Sequence, residues 1–125
     1  MKRHTLSLTA QLAAPGARPT YPWLGPCKEV VCRLKNTGST PLTVETMSCS
    51  WYDSWNTDSK KASLPSWPCD KNIPVKILLK PGEVYEKVVP LQVRGLARGE
   101  KHRVRLAFVH GNERIVAEPV LLELP

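Results

Sequence analysis

The chain has 125 residues, a net charge of +7, 42% apolar residues, twelve Pro and seven Gly. That length suits a single domain over residues 1–125 that buries a core without needing a metal, and the apolar fraction excludes a disordered chain. No apolar run reaches the ~18 residues of a membrane helix, and the Pro and Gly content favours short strands joined by turns over long helices.

The first predicted strand runs from Arg3 to Ala14, where Leu6, Leu8, Ala10 and Leu12 alternate with polar residues. The same stretch is too polar to be the apolar core of a signal peptide, although Met1-Lys2-Arg3 precedes it. Pro15-Gly16 ends the strand, and residues 15–28 carry four prolines and two glycines, a loop. A second strand is expected over Lys28 to Asn36, with Val30, Cys32 and Leu34 on one face and Val31, Arg33 and Lys35 on the other. Asn36-Thr37-Gly38-Ser39 reads as a turn in which Gly38 supplies positive φ. The third strand starts at Leu42 and is expected to continue to Trp51 or Tyr52, with a bulge near Thr46 to explain a shift in parity.

Residues 53–72 show no period and read as a long polar loop. Ile73 to Leu79 is the fourth strand, Lys80-Pro81-Gly82-Glu83 a turn, and Val84 to Val93 the fifth strand, with Pro90 at an edge or bulge. A basic turn, Gly95 to Glu100, leads to a sixth strand from His102 to His110, with Val104, Leu106 and Phe108 inward. Gly111-Asn112 is a tight hairpin, and Arg114 to Leu124 the seventh strand. The expected fold is all-β, a seven-stranded immunoglobulin-like sandwich with one long Trp- and Cys-bearing loop.

Two segments carry a resemblance: VVCRLKNTGSTPLTV from Val30 and ILLKPGEVYEKVVPL from Ile77. A strand ending in Asn-x-Gly-x-x-Pro-Leu, followed by a Leu-x-Pro-Gly-Glu-x-Tyr turn, resembles the bacterial Ig-like modules of cell-adhesion-related type. It is also similar to the intracellular proteinase inhibitor family, another small β-sandwich. The resemblance spans Val30 to Val93 and rests on turn chemistry, so it implies a fold and no functional residues. The segment 49–69 stands where those patterns have a short connection.

Catalysis by a nucleophile needs a base within hydrogen-bond reach. His102 and His110 fall at opposite ends of one predicted strand, His4 lies near the N-terminus, and no nucleophile motif is present, so no catalytic residue is expected. Cys27 and Cys32 would stand about 16 Å apart on a strand at roughly 3.3 Å per residue, too far to share a zinc ion or a disulfide. No metal or other cofactor is expected. If all four cysteines pair, Cys27 bonds Cys49 or Cys69 and Cys32 bonds the other; a single bridge among Cys27, Cys49 and Cys69 leaves Cys32 reduced in the core. A Cys49–Cys69 bridge would close the long loop and contribute about 3 kcal/mol.

All four tryptophans fall between residues 23 and 67, with Tyr21 and Tyr52 among them. They either fill the core or form a binding surface, since an indole offers large contact area at little entropic cost. Trp51 is expected in the core; Trp55 and Trp67, among polar residues, are expected to be exposed. Tyr52, Trp55 and Trp67 are therefore the candidate ligand-binding residues. Arg94, Arg98, Lys101, Arg103 and Arg105 lie within twelve residues, but no aromatics interleave them, so base stacking and specific nucleic-acid binding are not indicated.

These readings converge on a non-catalytic, exported binding or adhesion-type module that recognises carbohydrate or protein through its loop end. The alternative is a proteinase inhibitor presenting a constrained loop. The cysteines favour a periplasmic or extracellular setting; free thiols would indicate the cytoplasm.

Overall fold

The structure, a computed structural model, describes residues 5–14, 16–25 and 27–123. The expectations that fall on Arg3, His4, Pro15, Pro26 and Leu124 lie outside the described residues. The described chain is all-β: its only helical pieces are two 3-10 turns of three and four residues.

Alternation builds the first sheet. Strands β1 (Leu6–Leu12), β2 (Lys28–Asn36) and β7 (Val84–Val93) pair antiparallel, and β5 (Ala62–Ser63) adds to the far end of β7. The register places Leu8 opposite Leu34, Ala10 opposite Cys32, and Val30 opposite Val89. One face therefore presents Leu6, Leu8, Val30, Cys32, Leu34, Val89 and Leu91, all buried. Asn36 shares this parity. Its amide donates to the carbonyls of Thr40 and Leu79 at 2.9 and 2.8 Å and its Oδ1 accepts from the Gly38 N–H at 2.9 Å. These bonds allow a polar side chain to be fully buried there.

The remaining strands form smaller ladders. β3 (Leu42–Met47) pairs with β6 (Pro74–Leu79). β9 (Leu106–His110) lies between β4 (Trp55–Thr57) and β10 (Glu113–Val116), and β8 (Lys101–Val104) pairs with β11 (Val120–Glu123). Val104, Leu106, Phe108 and Ile115 join the residues of the first sheet in one buried cluster.

Several sequence expectations require correction. Strand β3 stops at Met47 without a bulge, because its pairing with β6 is regular up to Met47 opposite Pro74. The chain then enters a 3-10 turn over Trp51–Ser54. The supposed long loop holds β4 and β5. The sixth strand breaks at Arg105, whose N–H goes to the Asp58 carboxylate at 2.9 Å while its carbonyl accepts from the Asp58 N–H at 3.2 Å. The seventh breaks between β10 and β11 at Pro119, which has no N–H for a ladder. Gly38 does not adopt positive φ. It is needed for space, since a Cβ there would lie 3.3 Å from both Asn36 Oδ1 and the Thr5 side chain. Gly82 does take positive φ, at +85°, in the Pro-Gly turn before β7.

Pro90 sits as expected for a residue without a donor. Glu29, its partner on β2, sends its carbonyl to the Ala13 N–H at 2.9 Å, so the backbone of Glu29 faces β1. The Pro90 nitrogen therefore points away from β2, beyond the point where β5 stops pairing at Gln92. Pro90 is fully buried, and an N–H there would have no ladder partner.

Candidate functional site

Besides Asn36, a charged residue breaks the apolar face of the first sheet. Lys87 lies opposite Cys32, and its parity turns it inward. Its ammonium rests 4.1 Å from the centroid of the Trp51 ring, a cation–π contact. Partial burial lowers its pKa, the direction expected when an ammonium loses water.

Trp51 is held there by the excursion between β3 and β6. A disulfide joins Cys49 to Cys69 across that excursion. Asn72 ties its ends, accepting at Oδ1 from the N–H groups of Cys49 and Ser50, both at 3.1 Å, and donating to Ser50 Oγ at 2.7 Å. The Tyr52 hydroxyl donates to the Trp67 carbonyl at 2.7 Å. A second clamp comes from the connection between β1 and β2. The Glu29 carboxylate accepts the N–H groups of Thr20 and Tyr21 at 2.9 and 3.0 Å. The Tyr21 hydroxyl donates to the Val88 carbonyl at 2.8 Å. Burial first, then the nearby Glu29 and Tyr85, push the Tyr21 pKa up to about 12.

These supports gather five rings. Tyr21 stacks on Trp51 at 5.9 Å, Tyr52 meets Trp67 at 4.4 Å, and Trp51 meets Trp67 at 5.9 Å. Trp23 sets its ring edge-on to Trp67 at 5.0 Å and 80° and remains 62% exposed. A cleft of about 460 Å³ lies beside the cluster, lined by Leu12, Ala13, Pro19, Tyr21, Cys27 and Glu29.

The structure thus brings Tyr52 and Trp67 together, both half-buried, so Trp67, expected to be exposed, is partly covered against the core. It does not bring Trp55 to them. The expectation that Trp55 is exposed is corrected: it is 5% exposed and packs edge-on against Phe108 at 5.1 Å. The polar neighbours that suggested a loop belong to the short strand β4, whose alternate position faces the core. Trp51 is buried, as expected. Of the other cysteines, Cys27 and Cys32 are unbridged thiols, and burial raises the pKa of both, Cys32 to about 12. Sequence reasoning passed over Lys87 and counted Trp23 and Tyr21 in the aromatic cluster without naming them as ligand-binding residues. The inward parity of Lys87 was the available signal; the position of Trp23 depends on contacts far apart in the chain.

One serine–histidine contact was also missed: Ser59 Oγ lies 2.6 Å from His102 Nε2. The same Oγ accepts the Lys61 N–H at 3.1 Å, so this contact fastens the loop after β4 to β8.

No protein-family model, curated protein or solved structure matches this chain.

Proposed function

We propose that this protein is a non-catalytic binding module that recognises carbohydrate through the ring patch of Trp23, Tyr52 and Trp67. The observation that carries the reading is the 62% exposure of Trp23 amid rings that are otherwise half or fully buried. An indole packed T-shaped against Trp67 and 62% exposed offers flat apolar surface that suits the CH face of a sugar. The Cys49–Cys69 bridge and the Tyr52–Trp67 bond support the patch, so little order remains to be imposed on binding. A proteinase inhibitor fits less well, because the backbone of Trp67 that would be offered to an enzyme is already bonded to Tyr52 at both its N–H and its carbonyl.

The same proposal includes an immunoglobulin-like sandwich, with β1, β2 and β7 in one layer and β4, β9 and β10 in the other; the shared buried cluster supports it. It also includes an oxidising setting, periplasmic or extracellular, which the disulfide supports. Among the described residues no helix is long and apolar enough to cross a membrane.

The test is titration calorimetry of the protein against a panel of neutral oligosaccharides. Trp23→Ala should weaken binding at least about tenfold, as loss of a central aromatic contact does, and leave the melting temperature unchanged. A Trp23→Ala protein that binds as tightly as the parent would dismiss the patch.

A further inference from the structure

A second surface is charged. Residues 57–61 and 94–105 hold seven Lys and Arg against two acids, in a chain whose net charge is +7. The fold brings these segments together. The Arg94 N–H donates to the Lys61 carbonyl at 2.8 Å, and Ser59 meets His102 at 2.6 Å. The Asp58 carboxylate accepts the Arg105 N–H at 2.9 Å.

Two of the nearby acids are engaged. Besides Asp58, Glu100 pairs with Lys61 at 3.3 Å, and Glu123 stands across the ladder from Lys101. Lys60, Arg94, Arg98, Arg103 and Arg105 are exposed, and none makes an ion pair among the described residues. Four of these five are arginines, whose planar fork matches a carboxylate or sulfate in two parallel hydrogen bonds.

We propose that this basic end binds an acidic polysaccharide, a polymer bearing carboxylate or sulfate groups, independently of the aromatic patch. Charge complementarity selects a polyanion. Residues 57–61 and 94–105 contain no Phe, Tyr or Trp, so these segments offer no indole or phenol ring for stacking bases. Leu96, the large apolar residue of the turn 94–100, is 9% exposed and folds inward, leaving the turn no apolar wedge for lipid.

The experiment measures affinity for heparin, polygalacturonate, uncharged dextran, single-stranded DNA and phosphatidylserine vesicles at several salt concentrations. Heparin or polygalacturonate should bind with steep salt dependence, whereas any binding of dextran should be independent of salt and of the arginine substitutions; the preferred one of the two acidic polymers tells sulfate from carboxylate. The Arg103→Glu, Arg105→Glu double variant should bind about tenfold more weakly or worse with a shallower salt slope. The Arg94→Ala, Arg98→Ala variant should show the same trend, which guards against a folding defect in the first. Trp23→Ala should leave this affinity unchanged, so loss of the aromatic reading would not carry this one with it. Parental affinity in both arginine variants, or DNA or vesicles bound as tightly as the polysaccharides at equal salt, would overturn the proposal.

Discussion

Asn36 and Trp55 show how single side chains set the limits of this fold. Asn36 is fully buried and satisfies the Thr40 carbonyl and Gly38 N–H of the turn that joins β2 to β3, and the Leu79 carbonyl at the end of β6. Asn36→Ala should cost on the order of 3 kcal/mol in denaturant unfolding, because buried partners are left unpaired. Trp55 fills the space against Phe108. Trp55→Ala and Phe108→Ala should each cost about 3–5 kcal/mol, whereas Trp23→Ala should barely move stability. That contrast checks the reassignment of Trp55 from surface to core. The inward set Val30, Cys32, Leu34, Val104, Leu106 and Phe108 was legible from alternation alone, since the period of two is a local property. Trp55 was not, because a three-residue strand among polar residues has too few positions to show a period.

At the scale of elements, β2 and β7 match the sequence reading end to end, and both are long alternating runs closed by strong turns. The breaks at Arg105 and Pro119 were hidden for different reasons. Arg105 is interrupted by a distant residue, Asp58, whereas the Pro119 signal was local and was overrun by the apolar residues on both sides. The excursion from Cys49 to Cys69 is the element most dependent on one bond. Reducing that bridge removes about 3 kcal/mol in the chain-entropy model. In a domain of this size the melting temperature should drop by on the order of 10 °C, measured with and without reductant. The native protein should show Cys27 reacting with a thiol reagent ahead of Cys32, which reacts on unfolding, because Cys32 is fully buried and Cys27 half so. Equal rates for the two would contradict the burial.

For the whole molecule, the sequence foretold a β protein but not the order β1-β2-β7-β5, since 47 residues separate the neighbours β2 and β7. The aromatic patch was half legible: the clustering of the rings over residues 21–67 pointed to it, but the meeting of Tyr21 and Trp23, before β2, with Trp51 and Trp67, after β3, is set by the sheet. Alkaline pH acts on the molecule as a unit. Tyr21, with an ordinary value of 10.0, and Cys32, with 9.0, are both raised to about 12. Each therefore contributes stability that is whole below its unfolded pKa and is lost as pH rises through its folded one. Unfolding free energy should fall from about pH 9 to pH 12, and Tyr21→Phe should flatten the part above pH 10. A pH-independent stability over that window would refute the burial of both groups.

The five gathered rings have an optical consequence. Indole and phenol chromophores 4.4 to 6.5 Å apart share their excitation, so they should dominate the near-ultraviolet circular dichroism as one coupled signal. The Cys49–Cys69 disulfide belongs to the same segment as Trp51, Tyr52 and Trp67, and disulfides quench indole emission. Reduction should therefore brighten the protein's own fluorescence, and a ligand settling on Trp23 should shift its emission colour, so the fold carries an unlabelled reporter of both its redox state and its occupancy.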